Sequence, residues 1–293
     1  MTSKNLLESF VAYLRHERGL AASTVITYGH HLRAYLAFLD EAGCEAEYAT
    51  RERIVVYLGH LRKRNLRPAT VFCAAMAVRA FHRFLAAKGH APNDSTEDMN
   101  LPKLTVSIPE PLSVQETFSL LASPSEHSFA GLRDRAVLEL LYCGLRLGEA
   151  LGLDTAHIHM NEGYTKVLGK GSKERLIPIG RKALESLRLY LDIRNQRFGN
   201  SSGAIFLSRC GTRLTNNGFW RGFKCYAARA GITRRVYPHL LRHSFAVHML
   251  AGHADLRSLQ LLLGHNSLAT TQRYLQIDLN SLRETCQQAH PRF

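Results

Sequence analysis

The sequence predicts a mainly α fold in two domains, with one small antiparallel β-sheet confined to the second. Three features lead there. Apolar residues recur at helical spacing through the first ninety positions and again beyond residue 112. Between these regions "KGHAPNDSTEDMNLPKLTVSIPEP" carries four prolines and no sustained period. Finally, "YTKVL" and "ERLIPI" are short extended runs joined by the glycine-punctuated "GKGSK", the pattern of a hairpin. This assigns residues 1–90 to a helical N-terminal domain, 91–111 to a linker and 112–293 to an α+β C-terminal domain. At 293 residues the chain is long enough for each domain to bury its own core.

The N-terminal domain reads as four helices. Ser3 suits the N-cap of the first, whose stripe is Leu6, Leu7, Phe10, Val11 and Leu14, stopped at Gly19. Ser23 opens the second, with Tyr28, Leu32, Tyr35, Leu36 and Leu39 along one side. Thr50 caps the third, which runs through Ile54, Tyr57, Leu58 and Leu61. Pro68 fits the first turn of the fourth, which passes Phe72, Met76 and Phe84 on its way to Gly89. In the second domain "SVQE" is a capping box, Ser113 and Glu116 satisfying each other's orphan amides. A helix through "RDRAVLELLYCG" follows, then extended segments near 155–159 and at the hairpin, and helical periodicity from Arg181 almost to the end. In the tail, Asp278 is placed to cap a short helix with Leu279, Leu282, Cys286 and Ala289 on one face, broken before Pro291.

Charge narrows the partner. Lys and Arg number 38 against 24 Asp and Glu, a net charge of +14, which calls for a polyanion. Residues 1–107 hold 14 basic and 10 acidic side chains, so the surplus is present in both halves. That suits a nucleic acid held from two sides better than one basic tail. A membrane partner is not predicted: no apolar run approaches the roughly 18 residues of a spanning helix. The start, "MTSKNLLESF", lacks the basic and apolar regions of a signal peptide. The six cysteines are scattered without a CxxC pair, which predicts reduced thiols and no zinc site.

Candidate chemistry gathers in the C-terminal half. His239 and Arg242, at i and i+3, share one helix face. His243 and His248 fall elsewhere on that helix and are read as packing residues. His239 and His243 have metal-ligand spacing, but no glutamate follows His239 and no third ligand is in view, so no metal and no cofactor is predicted. Arg146 follows a glycine turn within an apolar stretch, with Glu149 three residues on and able to hold it. A guanidinium stays charged, and its fork matches non-bridging phosphate oxygens. Lys170 sits in "GKGSK", which is not a P-loop. Tyr274, at the end of "SLATTQRY", is placed in a short helix capped by Ser267, and as a nucleophile it needs activation by a base or by cations.

Taken in order, "GLRLGEAL", "GKGSKERLIPI", "HLLRHSFAVHML", "LLGH" and "TTQRY" resemble the motifs of the tyrosine recombinases, the phage integrase family. The resemblance spans nearly the whole chain and is greatest to the Xer-type enzymes that resolve chromosome dimers. It implies a two-domain DNA clamp: a helical core-binding domain and an α+β catalytic domain. It implies that Tyr274 attacks the scissile phosphodiester to form a 3′-phosphotyrosyl bond, while Arg146, Arg242 and His265 surround the non-bridging oxygens. His239 is then the base or proton relay, and Lys170 the acid for the departing 5′-oxygen. The implied partners are a double-stranded recombination site, a homo- or heterotetramer with a second recombinase, and an FtsK-type DNA translocase as regulator. The implied location is the cytoplasm, at the nucleoid. The resemblance further implies that the tail helix docks on a neighbouring protomer.

Three positions depart from the family pattern. "YCGLR" is one residue shorter than the usual run before the first arginine, Val247 stands in place of a common threonine, and Gln276 in place of a common histidine. None removes a catalytic group. Other functions compatible with the sequence are a mobile-element integrase, a topoisomerase of type IB, or a DNA-binding protein without turnover. The compact N-terminus, with no extra arm-binding domain, and the intact catalytic set favour a Xer-type recombinase over these.

Overall fold

The computed structural model describes residues 2–99, 109–168, 174–199, 203–264 and 279–293. Two compact units, Met1–Ile108 and Pro109–Phe293, each enclose a separate apolar core.

The first unit contains α1 (Ser3–His16), α2 (Ala22–Glu41), α3 (Arg51–Lys63) and α4 (Pro68–Ala87). The cap of α1 is Thr2 rather than Ser3: Thr2 is extended and accepts from the Asn5 amide at 3.3 Å, whereas Ser3 donates to Asp40. Nor does Ser23 open α2, which starts at Ala22 without a side-chain cap. Thr50 occupies the N-cap position of α3, but its hydroxyl makes no capping hydrogen bond. On α4 the expected stripe is displaced. Phe72 and Met76 are half-buried, and the inner face is Val71, Ala74, Ala75, Val78, Phe81 and Leu85, with Phe84 beside it. Helix α4 packs on α2 and α3, and its buried face includes the small Ala74 and Ala75 beside larger side chains. Helix α4 is also long and apolar enough to cross a membrane, contrary to the expectation that no such run exists. It is the central core helix of this unit, and it carries Arg79, His82 and Arg83.

In the second unit the capping box of α5 (Val114–Ala122) forms as expected, with Ser113 and Glu116 exchanging hydrogen bonds of 2.7 and 3.0 Å. The central helix is α6 (Phe129–Tyr142), buried along almost its whole length. It packs on α8 (Arg181–Phe198), α9 (Asn216–Arg229) and α10 (Pro238–Ala251). The short α7 (Leu147–Gly152) leads to an antiparallel sheet of β1 (Ile158–His159), β2 (Tyr164–Leu168) and β3 (Glu174–Pro178), in that order. Thr165 pairs with Ile177 and Val167 with Arg175. Helices α11 (Leu256–Leu263) and α12 (Leu279–Ala289) complete the unit.

The tail seats within its own unit in this single chain. Here α12 packs on α10, α11 and β3 of its own unit, burying Leu282, Cys286 and Ala289. The helix approaches so closely that a Cβ on Gly252 would lie 2.8 Å from the Ala289 Cα. Beyond it, the His290 Nε2–H donates to the Tyr142 carbonyl at 2.9 Å, and the Arg292 guanidinium grips the buried Glu139 carboxylate at 2.8 Å. Since an uncompensated buried carboxylate is costly, this pair gives the tail a specific seat. Asp278, expected to cap α12, lies outside the described residues.

Candidate active site

The site begins at the C-terminal end of α6, where the chain reverses through Cys143, Gly144 and Leu145. Gly144 has φ +95°, a conformation that L residues with a side chain rarely adopt. The turn closes when the Leu145 amide donates to the Leu140 carbonyl at 3.2 Å. The shortened "YCGLR" run thus makes a tight turn, which leaves the Gly144 carbonyl pointing at α10 as a hydrogen-bond acceptor for Arg242. Immediately afterwards Arg146 takes the N-cap position of α7, and Glu149 in the first turn accepts from its backbone amide at 2.7 Å.

Glu149 is the hub. Arg146 Nη1 donates to Oε1 at 2.7 Å, while Arg175 from β3 spans both oxygens, Nη1 to Oε1 at 3.0 Å and Nη2 to Oε2 at 2.7 Å. Arg242 lies 3.5 Å from Oε2. Burial alone pushes this carboxyl up, but the hydrogen bonds from Arg175 and the Arg146 amide, with their charges, outweigh it and hold it at about 2.

The same three arginines converge on the last carbonyls of α11. Arg175 Nε donates to Leu262 at 3.2 Å and Arg146 Nη2 to Leu263 at 3.3 Å, and Arg242 Nη2 also donates to Leu263. A helix C-terminus offers orphan carbonyls and the negative end of its dipole, both of which guanidinium groups satisfy. The helix stops at Gly264, which is left-handed at φ 60°, ψ 47°, with the Arg175 side chain lying across it. A Cβ there would come within 3.1 Å of the Arg175 Cδ.

Exposure differs among the cations. Arg242 and Arg175 are buried to 7% and 11% side-chain exposure, whereas Arg146 keeps 38%. Burial, and next the Arg146 charge, lowers Arg242 to about 9, so it remains cationic at neutral pH. His239 stands one turn before Arg242 on α10 and is exposed. Partial desolvation and then the charges of Arg242 and Arg146 hold its imidazole below the usual histidine range. It is therefore neutral at pH 7 and able to take a proton.

Of the residues singled out in the sequence, Arg146, Arg242 and His239 are brought together here. Lys170, His265 and Tyr274 lie outside the described residues, as does Ser267. His248, read as a packing residue, is buried: its Nε2–H donates to the Leu112 carbonyl and its Nδ1 accepts from the Tyr142 hydroxyl, both at 2.8 Å. Among the described residues no cluster of histidine, cysteine or carboxylate side chains is arranged to hold a metal. Sequence reasoning missed Arg175. Its signal was strand alternation, because Arg175 stands two residues before Ile177, which is fully buried, and so shares its face.

What this arrangement does is hold cationic donors in a fixed place before substrate arrives. Three guanidinium groups face one carboxylate and one helix terminus, which leaves a net positive site suited to a phosphodiester.

Comparison with known proteins agrees with this chemistry. The phage integrase family profile matches residues 112–280, and the N-terminal SAM-like domain of phage integrases matches residues 7–89. Tyrosine recombinase XerD of Halalkalibacterium halodurans is 37% identical, with 99% of each chain covered. Tyrosine recombinase XerC of Myxococcus xanthus is 39% identical, with all of both chains covered. Among solved structures, a lambda integrase dimer bound to a COC′ core site superposes with a TM-score of 0.71 at 21% identity, over 91% of this chain and 96% of that one. The XerH recombinase bound to a difH substrate before cleavage gives 0.69 at 22% identity, over 98% and 84%. At those identities the structures establish the shared fold, while the sequence matches establish kinship: the chain belongs to the phage integrase family and is a tyrosine recombinase of the Xer type.

Proposed function

We propose that this site-specific recombinase resolves chromosome or plasmid dimers by cutting and rejoining duplex DNA through a 3′-phosphotyrosyl intermediate and a Holliday junction. The observation that carries the reading is the arginine frame around Glu149, built directly before the segment that holds His265 and Tyr274. In this mechanism the Tyr274 hydroxyl attacks phosphorus and loses its proton to His239, whose depressed basicity keeps it neutral and receptive. Negative charge grows on the non-bridging oxygens as phosphorus becomes five-coordinate. Arg146, Arg242 and His265 stabilise that charge more than they do the ground-state diester, which is what raises the rate. Lys170 donates a proton to the departing 5′-oxygen. The tyrosyl ester conserves the energy of the broken bond, so religation needs no nucleotide.

The division of labour between domains follows the basic surfaces. The run "LRKRNLRP" at the end of α3 is exposed from Arg62 to Pro68, and it supplies phosphate and groove contacts. The related XerH and lambda integrase structures are DNA complexes, and one of the lambda integrase structures is a tetramer on a Holliday junction. By analogy the present chain works as a homo- or heterotetramer clamped on two duplexes; an FtsK-type translocase as its regulator is part of the same proposal and rests on the Xer-type resemblance alone. Acting on the chromosome places it in the cytoplasm, at the nucleoid.

The test is incubation with a nicked suicide substrate, followed by a denaturing gel. A covalent protein–DNA adduct that resists heat and detergent but yields to protease is the expected result. Its absence from every Xer-type site tried, with DNA binding intact, would refute the reading.

A further inference from the structure

The structure assigns to Arg175 a positioning role: by bonding both oxygens of Glu149 it offsets that carboxylate's charge, so Glu149 can brace Arg146 and Arg242 without neutralising the site. The inference rests on the recombinase reading above and adds a residue to it.

The argument is one of charge and connectivity. Glu149 is a buried anion within the cation cluster, hydrogen-bonded to Arg146 and 3.5 Å from Arg242. It pairs with both, and with those two alone it would take a full charge from the group that must meet the diester. Arg175 sets a third positive charge against it through two hydrogen bonds of 3.0 and 2.7 Å, one to each oxygen, so the group keeps its positive surplus. Only a planar fork makes both at once. At 11% exposure and held on the Leu262 carbonyl, Arg175 has its donors engaged within the protein. Its work is done through Glu149.

Connectivity points the same way. Arg175 is the second residue of β3, five positions after Lys170, and its side chain lies across Gly264, the residue before His265. One side chain therefore ties β3, the first turn of α7 and the end of α11 together. These elements adjoin the three stretches of chain that bear Lys170, Arg146 and His265. Opposite Arg175 on β2 is the buried Val167, so no polar group of that strand competes for its donors.

The experiment uses full-length protein and a suicide substrate under single-turnover conditions. Arg175→Gln is expected to lower the cleavage rate by about 10–100-fold while DNA affinity stays within about threefold, as befits a transition-state effect. Glu149, no longer neutralised, should raise the basicity of His239. The acid limb of the pH–rate profile should then move to higher pH, a shift that a merely structural loss would not produce. In a double-mutant cycle, Arg175→Gln should cost little once Glu149→Gln is present, because its partner charge is gone. Where R175Q does not fold, R175K carries the same test: one ammonium cannot span both oxygens, so the limb should move in the same direction by less. Strictly additive losses, an unmoved acid limb, or a defect confined to affinity would each overturn the assignment. If the wild-type protein itself forms no adduct, the recombinase reading fails instead, and the two failures are distinguishable.

Discussion

Replacing Gly144 by alanine tests the turn on which the site depends. At φ +95° an L side chain costs roughly 1–2 kcal/mol. The new methyl would also lie 2.8 Å from Phe245 Cε1 and 3.3 Å from Cδ1 and Cζ. Phe245 is fully buried, so its ring must move within a packed core, which costs roughly another 1–3 kcal/mol. The expected total is about 2–5 kcal/mol, which for a unit of this size lowers the melting temperature by about 4–20 °C. Activity should suffer separately, because the Gly144 carbonyl is the acceptor for Arg242. Thermal melts followed by circular dichroism read the first effect. Single-turnover cleavage at a temperature well below the melt reads the second, and should fall by about tenfold or more. A variant that melts within about 1 °C of the parent and cleaves at the parental rate would show the turn is not built as described.

Other outcomes follow from the same structure. Tyr274→Phe should bind DNA normally and form no adduct, and Arg146→Ala or Arg242→Ala should reduce cleavage far more than binding, as gel shifts and suicide-substrate assays will report. Gly59→Ala, in mid-α3 with nothing within 4 Å of the added methyl, should stabilise the first unit by about 0.5–1 kcal/mol in urea titrations. Burial above all lowers both His82 and His290 to about 4, so the unfolded chain takes up protons between pH 6.5 and 4 that the folded chain refuses. Stability is therefore complete above pH 6.5 and falls as pH drops through that window, by roughly 3 kcal/mol for each histidine, and His82→Gln and His290→Gln should each flatten the pH dependence of their own unit's melt. Arg292→Ala should destabilise the second unit by about 3–5 kcal/mol through the stranded Glu139 carboxylate, with Glu139→Gln restoring part of the loss.

The fold was legible wherever one periodicity dominated. The stripe of α1, the capping box before α5 and the hairpin of β2 and β3 each follow from local spacing, since a single face of each element is buried. The reading went astray where small residues made the contact. Alanine counts for little in an apolar stripe, yet Ala74 and Ala75 lie on the buried face of α4. Two caps were misplaced for a related reason: Thr2, Ser3 and Ser23 are all competent capping residues, yet α1 is capped by Thr2 and α2 by Ala21, and only the backbone angles decide which residue caps. The tail shows a further limit. Its apolar stripe declared that α12 must pack on something, but the surface chosen depends on Glu139 and Tyr142, about 150 positions away.

For the site, residue identity was legible and mutual support was not. Arg146, His239 and Arg242 stand in motifs whose spacing places them on turns and helix faces, so the sequence exposes them. What holds them does not lie in those motifs. The Leu262 and Leu263 carbonyls and the Gly144 carbonyl are backbone groups, and any residue type supplies a carbonyl. They become ligands only because α11 ends in a left-handed glycine and α6 in a positive-φ one. Arg175 is the intermediate case. A charged residue two positions before a buried isoleucine, on a strand opposite Thr165 and Val167, must face inward. A buried guanidinium in turn requires a carboxylate, and among the acidic residues of the neighbouring motifs Glu149 was already set beside Arg146. Strand alternation together with the cost of an unpaired buried charge therefore links Arg175 to Glu149, and Glu149 to the arginines whose charge it shares.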